Sequence, residues 1–203
     1  MSATGQGSIG TVILAAGESQ RLGQPKQLLP FRGTTLLRLA AETALAVRCG
    51  PVAVVLGAFA ESIRPALDGL DVLIVENPGW REGMGTSLRT GLVAILAAAP
   101  DLDGVVVMLC DQPLITATSL CLLIESHRAN TSAITAAGYS GTLGVPAIFA
   151  RALFPELLAL DGAQGARAVI QRHPGSATGL LMPEAAADVD TAEDFAALKS
   201  QRR

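Results

Sequence analysis

The chain has 203 residues, of which 50% are hydrophobic but only 3% are aromatic. This length suits one compact domain, and a core of Ala, Val, Leu and Ile fits layered helix-and-sheet packing better than a β-sandwich. The 15 basic and 18 acidic residues leave a net charge of −3, so no broad basic face is expected and nucleic-acid binding is disfavoured.

Short apolar runs alternate with longer stretches of helical period, which is the pattern of βαβ units. Because the apolar runs are continuous, they predict strands buried on both faces of a mainly parallel sheet. The predicted strands are Thr11–Leu14, Val52–Leu56, Val72–Val75, Val105–Leu109, Ala133–Ala137 and Pro146–Phe149. The predicted helices are Thr35–Arg48, Thr86–Ala99, Leu120–His127, Arg151–Leu160 and Gly165–His173. No long linker divides the chain, so residues 1–203 are predicted to form a single α/β domain.

The loop after the first predicted strand reads LAAGESQRLGQPK and ends at Lys26. It begins at Leu14 and continues with Ala15, Ala16 and Gly17, whose small side chains let the backbone approach a ligand and point N–H groups at phosphate oxygens. Arg21 and Lys26 add positive charge, although each alone could be a solvated surface base. Neither Gly-Lys-Ser/Thr nor G-x-G-x-x-G occurs, which argues against a Walker A loop and a dinucleotide-dependent oxidoreductase. The assembled loop favours phosphate binding.

Two acidic positions are candidates for a metal site. Asp111 follows the strand predicted at Val105–Leu109, and ligands of open α/β sheets bind beyond the carboxyl ends of the strands. Magnesium is usually held by one or two carboxylates plus substrate phosphates, although an Asp before a Pro-containing turn can be purely structural. Asp190 precedes Thr191–Asp194, a capping-box pattern that predicts a final helix, and it could simply favour that helix terminus.

A further segment, Gly83–Thr90, is predicted to run into a helix N-terminus with Thr86 or Ser87 near the cap. Free amides and hydroxyls there could contact a base edge or a ribose, or could only cap the helix. Trp80, the single tryptophan, lies just before this segment and could be a partly buried anchor. Residue chemistry alone does not decide between these interpretations.

The chain resembles the NTP-transferase family that includes the molybdenum-cofactor nucleotidyltransferases, in blocks that occur in the family's order. These are LAAGESQRLGQPK from Leu14, GMGTSLRTG at Gly83–Gly91, DQP at Asp111–Pro113, G-x-P at Gly144–Pro146, GAQGAR at Gly162–Arg167 and DVDTAED at Asp188–Asp194. The resemblance implies a three-layer, Rossmann-like, nucleotide-diphosphosugar-transferase-type fold with a mostly parallel central sheet. The cytidylyl branch is favoured, because the guanylyl branch typically has A-G-G in the first loop and G-P-L-A-G in place of GMGTSL.

The resemblance also implies roles for individual residues. Asp111 and Asp190 would bind Mg²⁺, Gly85 and Ser87 would lie near the nucleotide, and Arg167 would bind the acceptor phosphate unless it is a solvated helix residue. The first loop, with Arg21 and Lys26 as catalytic residues, would hold the β and γ phosphates. Transfer from an NTP to an acceptor phosphate needs no side-chain base, because the attacking phosphate oxygen is already ionised.

The expected reaction is therefore Mg²⁺-dependent transfer of CMP from CTP to molybdopterin or molybdenum cofactor, with release of pyrophosphate. Two departures from the family pattern lie on the acceptor side: Ala163 replaces an Asp, and Val145 stands where many cytidylyl members have His. Two alternatives stay open. One is the same chemistry with GTP or with another acceptor, such as a sugar phosphate or 2-phospholactate. The other is a non-catalytic protein that binds and delivers the cofactor, to a molybdoenzyme or its maturation chaperone.

The remaining features concern the surroundings of the protein. Cys49, Cys110 and Cys121 lack C-x-x-C spacing and predict buried thiols in a reducing compartment. Residues 1–9 lack the regions of a signal peptide and are expected to be flexible. No apolar run approaches the ~20 residues of a membrane span. We therefore expect a cytoplasmic protein without a membrane partner.

Overall fold

A seven-stranded sheet lies between two layers of helices in the computed structural model, which describes residues 7–130 and 132–200. The strands are β1 (Ile9–Ala15), β2 (Pro30–Phe31), β3 (Thr34–Thr35), β4 (Val52–Leu56), β5 (Leu73–Glu76), β6 (Gly104–Leu109), β7 (Ile134–Tyr139), β8 (Thr142–Ala150) and β9 (Ala177–Leu181). The α-helices are α1 (Leu36–Val47), α2 (Ala60–Ile63), α3 (Met84–Ala98), α4 (Ala117–Ala129), α5 (Phe154–Leu158), α6 (Ala166–Arg172) and α7 (Ala192–Ser200).

The sheet is mostly parallel, with the strand order β5-β4-β1-β6-β8-β7-β9. Strands β5, β4, β1 and β6 run parallel, whereas β8 is antiparallel to both β6 and β7. The fold class expected from the sequence is confirmed. The antiparallel placement of β8 follows from its connection, because the two residues between β7 and β8 can only close a hairpin.

The core lies on both faces of the sheet because alternate side chains of each central strand point to opposite sides. In β1, Ile13 belongs to the buried cluster that includes side chains of α1 and α4, and Val12 belongs to the cluster that includes side chains of α3 and α6. Both side chains are fully buried, which explains why this strand is apolar at nearly every position. The helices on each side therefore bury their apolar side chains against the two faces of the same sheet.

Several elements differ from the sequence-based expectations: β2 and β3 were not predicted, and α4 and β8 begin before their predicted first residues. Ile9, the last residue of the segment expected to be flexible, belongs to β1 and is buried, while residues 1–6 lie outside the described residues. The helix predicted to begin at Thr86 begins two residues earlier, because Gly83 has φ 120° and is the N-cap of α3. Strand β9 was not predicted, since it lies at the sheet edge and its side chains are only partly buried.

The final helix begins as its sequence pattern predicts. The Thr191 Oγ1 accepts a hydrogen bond from the Asp194 N–H at 3.1 Å, and the Asp194 carboxylate accepts one from the Thr191 N–H at 2.8 Å. This reciprocal capping box fixes the chain direction just after Asp190. In the described part of the chain, no helix has the length and apolar character that crossing a membrane requires.

Candidate active site

A cleft of ≈ 820 Å³ opens at the carboxyl ends of β1 and β6. The loop after β1 forms one wall, the start of α3 forms another, and the residues just before α7 close the third side. Most of the residues predicted to act in the site line this cleft: Leu14, Ala15, Ala16, Gly17, Arg21, Lys26, Ser87, Asp111 and Asp190. The topology thus brings together blocks that are far apart in the sequence, as expected for a ligand site in an open α/β sheet.

The floor of the cleft holds a cluster of charges centred on Lys26. Its Nζ donates hydrogen bonds to Asp111 Oδ2 at 2.5 Å and to Asp190 Oδ1 at 2.9 Å. Arg21 Nη2 reaches the other carboxylate oxygen of Asp190 at 2.7 Å. The side chain of Asp111 is only 9% exposed, that of Asp190 is 34% exposed, and that of Arg21 is 68% exposed. The ion pair between Lys26 and Asp111 is therefore buried, whereas the pair between Arg21 and Asp190 is largely solvated.

The burial and pairing of these groups shift their pKa values. Burial raises the pKa of Asp111 above its ordinary value, and the nearby Lys26 charge offsets only part of this effect. Burial alone would lower the pKa of Lys26, but the Asp111 charge and the hydrogen bonds to both carboxylates outweigh it and raise that pKa. Partial burial acts to raise the pKa of Asp190, yet Lys26 and Arg21 hold it below its ordinary value. Lys26 is therefore charged at neutral pH.

The loop after β1 is held in shape by a residue that the sequence reasoning missed. Gln27 is fully buried, and its Nε2 donates to the Ala15 carbonyl at 2.8 Å and to the Gly17 carbonyl at 2.9 Å. The Lys26 N–H also donates to Ser19 Oγ at 3.1 Å, which closes the loop on itself. The available signal was an uncharged polar residue that follows Lys26 and precedes two leucines.

The start of α3 is fixed by a buried amide. Asn77 Nδ2 donates to Thr86 Oγ1 and to Ser87 Oγ, both at 2.9 Å, and Thr86 Oγ1 donates to the Gly83 carbonyl at 2.8 Å. Thr86 therefore ties the first turn of α3 to the preceding loop instead of capping the helix. Trp80 lines the cleft beside this turn, with the Arg81 guanidinium 4.2 Å from the centre of its ring.

Two predicted site residues do not line the cleft. The Gly85 N–H donates to the Gly162 carbonyl at 3.1 Å, and a Cβ at Gly85 would collide with the Asp161 carbonyl oxygen. This glycine therefore lets α3 approach the loop that follows α5. Arg167 is on α6, where its Nη2 donates to Thr142 Oγ1 at 2.9 Å at the start of β8. The assignments of both residues to ligand binding stay predictions.

The two carboxylates fit a divalent metal ion. Asp111 Oδ1 is buried and has no hydrogen-bond partner, so this oxygen is available to a cation. Asp111 and Asp190 already converge on one positive charge, the Lys26 ammonium. Among residues 7–130 and 132–200, no cluster of three or more His, Cys, Asp or Glu side chains could hold a metal. A site with two carboxylates suits Mg²⁺, which usually takes its other ligands from water and substrate phosphates.

Comparison with known proteins places these features in a family. Residues 11–177 match the MobA-like NTP transferase domain. Nicotine blue oxidoreductase from Paenarthrobacter nicotinovorans is 37% identical in an alignment that covers 80% of this chain and 81% of that protein. Purine catabolism protein PucB from Bacillus subtilis is 27% identical, over 91% of this chain and 92% of its own length.

Solved structures show the same architecture. Rv0371c from Mycobacterium tuberculosis H37Rv is 35% identical, with a TM-score of 0.79 over 95% of this chain and 98% of that one. A manganese complex of Rv0371c is 33% identical, with a TM-score of 0.71 over 94% and 97% of the two chains. Rv0371c thus binds manganese, whereas the cytidylyl branch and the preference for Mg²⁺ stay predictions for this chain. On its sequence and its fold, this chain belongs to the MobA-like NTP transferase domain family and is a nucleotidyltransferase.

Proposed function

We propose that this protein transfers CMP from CTP to molybdopterin or its metal-bearing form and releases pyrophosphate, with Mg²⁺ bound by Asp111 and Asp190. The observation that carries the proposal is the charge cluster at the foot of the glycine-bearing loop. There, two carboxylates suited to a metal lie within hydrogen-bond distance of Lys26, a base suited to phosphates. Such a set neutralises the charge that develops when a pyrophosphate leaves.

In the proposed reaction, an oxygen of the acceptor phosphate forms a bond to the α-phosphorus of CTP. The bond between that phosphorus and the oxygen bridging to the β-phosphate breaks, and pyrophosphate leaves with the electron pair. The acceptor oxygen is already ionised, so the chain has to supply position and charge and does not need a general base. When bound, Mg²⁺ supplies charge neutralisation at the phosphates, and Lys26 and Arg21 supply the rest at the leaving group.

Three features support the choice of substrates. The first-loop sequence Ala15-Ala16-Gly17 and the GMGTSL segment resemble the cytidylyl branch. Arg167, whose Nη2 donates to Thr142 Oγ1 beside the β7–β8 turn, belongs to the GAQGAR block that the resemblance places on the acceptor side. The product would then pass to a molybdoenzyme or its maturation chaperone. Ala163 and Val145, which depart from the family pattern, are the reason that a different phosphorylated acceptor or a delivery protein is kept as an outcome of the test.

The test is pyrophosphate release in the presence of Mg²⁺, measured with each of the four NTPs, with and without a molybdopterin-type acceptor. Release with CTP only when the acceptor is present is the expected result. Release with GTP would show that the chain transfers GMP, and release with a sugar phosphate would show that the acceptor is not a pterin. Binding of the pterin without any pyrophosphate release would favour the delivery protein and contradict the proposal.

A variant pair tests the metal site. Asp111→Asn keeps the size of the side chain but removes the charge, and we expect it to lower turnover at least about 100-fold while leaving the fold intact. Asp71→Asn makes the same change at an exposed residue outside the cleft and should leave turnover unchanged. Substantial residual activity in Asp111→Asn would remove Asp111 from the metal role.

A further inference from the structure

Unsatisfied buried acceptors in this structure concentrate at one place. In the described part of the chain, the buried side-chain oxygen atoms without a hydrogen-bond partner are Gln27 Oε1, Asp111 Oδ1 and Gln112 Oε1. Gln27 and Asp111 line the cleft, and Gln112 is the next residue along the chain from Asp111. An orphaned buried acceptor costs roughly 1–3 kcal/mol, so each needs an explanation. The proposed metal site would use the Asp111 oxygen, and the two glutamines remain as buried polar side chains whose amide hydrogens have defined partners.

Gln27 uses both of its amide hydrogens on the loop that is expected to bind phosphate. They go to the carbonyl oxygens of Ala15 and Gly17, and no other side chain in the described residues donates to either oxygen. A trans peptide unit carries its C=O and its N–H on opposite sides. The two peptide units whose carbonyls point at Gln27 therefore direct the N–H groups of Ala16 and Glu18 away from it. Ala16 and Glu18 both line the cleft.

We infer that Gln27 is a positioning residue for the nucleotide phosphates, holding the first loop so that its N–H groups face the phosphate oxygens. This inference rests on the proposed function, because it takes the ligand to be a nucleoside triphosphate. The role requires a neutral, planar group with two donors. A carboxylate at this position would turn acceptor oxygens toward two carbonyl oxygens, and a thioether would fill the space without donating.

A second glutamine provides a matched control. Gln112 is also buried, and its Nε2 donates to the Val145 carbonyl at 3.1 Å and to the Ala185 carbonyl at 2.8 Å. Its oxygen is likewise without a partner. The two residues are therefore alike in burial and in bonding, but the hydrogen bonds of Gln112 join it to β8 and to the segment before α7, and not to the first loop.

The experiment measures nucleotide affinity in Gln27→Glu, Gln27→Met and Gln112→Glu. Trp80 is the single tryptophan of the chain and lines the cleft, so its fluorescence reports nucleotide binding without turnover. We expect both Gln27 variants to raise the Kd for the NTP about 10-fold or more, with the acceptor KM changed less than about 3-fold, because the first loop is proposed to contact the nucleotide phosphates and not the acceptor. Gln112→Glu should leave the NTP Kd within about 3-fold of the wild-type value.

Three results would overturn the inference, and they differ from one another. An unchanged NTP Kd in the folded Gln27 variants would show that the two hydrogen bonds of the Gln27 amide do not position the loop. An equal loss of NTP affinity in Gln112→Glu would show that any buried glutamine of this region has the same effect, so that the role is general packing. Failure of the wild-type protein to bind any NTP would remove the proposed function itself, and the inference with it. Gln27→Met is neutral and close in size, so it serves if the carboxylate variant does not fold.

Discussion

Removing Lys26 tests how much the buried ion pair between Lys26 and Asp111 contributes to the stability of the fold. In Lys26→Met, the apolar stem is kept and the ammonium that bridges the two carboxylates is lost. Asp190 keeps Arg21 as a partner and is partly solvated, so most of the lost stability comes from Asp111, whose buried carboxylate is left without a positive partner. Deleting one partner of a buried ion pair costs about 3–5 kcal/mol. Because Asp111 lines an open cleft, we expect the unfolding free energy of Lys26→Met at pH 7 to fall by an amount at the lower end of this range, about 3 kcal/mol.

The pH dependence of this loss has a defined sign. Burial already raises the pKa of Asp111, and the variant lacks the Lys26 charge that offsets it, so the pKa should rise further. The native variant then holds a proton that the unfolded chain has released, and its unfolding free energy increases as the pH falls from 7 toward the unfolded value of about 4. The difference in stability between variant and wild type should therefore be smaller at pH 5 than at pH 7.

Urea unfolding followed by circular dichroism at pH 5 and pH 7 measures both effects. Lys26→Met/Asp111→Asn should recover most of the lost stability, because it removes the unpaired charge along with its partner. Arg21→Met serves as the control, since its exposed pair with Asp190 should contribute no more than about 1 kcal/mol. A loss that is equal at both pH values and persists in the double variant would refute the reasoning.

Two further substitutions test the packing that shapes the cleft. Gly85→Ala would drive a Cβ into the Asp161 carbonyl oxygen, so we expect a lower melting temperature and weaker NTP binding, whereas Gly175→Ala has open space and should change neither. Leu92→Ala removes a fully buried side chain of α3 and should cost about 2–5 kcal/mol in urea unfolding, while Val93→Ala, at an exposed position, should stay within about 0.5 kcal/mol. Equal effects within either pair would contradict the packing described above.

Much of the fold could be predicted because its central strands are buried on both faces. Val52–Leu56 is observed with the predicted bounds, since a strand covered by helices on each side has to be apolar throughout. Strand β9 gave no such signal, because an edge strand with partly buried side chains and a glycine at its centre lacks a continuous apolar run. The start of α3 was predicted late because a glycine N-cap leaves no side-chain signature.

In the candidate site too, some residues could be predicted from the sequence and others could not. The first loop and Asp111 could be noticed from local patterns, because each follows a predicted strand, whereas the metal role of Asp111 and Asp190 was implied by the resemblance to the family. The clamp by Gln27 could not be selected in this way, since its partners are carbonyl oxygens that look alike at every position of a sequence. The placement of Gly85 against the Gly162 carbonyl likewise depends on how α3 meets a distant loop.

By itself, the sequence determined the α/β class, the central strands of the sheet and a small-residue loop of a kind suited to phosphates. Those properties depend on residue type and on spacing within short segments. Only the tertiary structure decided that Lys26 meets Asp190 across 164 positions of the chain and that both carboxylates share one ammonium group. The physical reason is that hydrogen bonds and charge pairs act over a few ångströms, so folding has to bring those groups together before their chemistry exists.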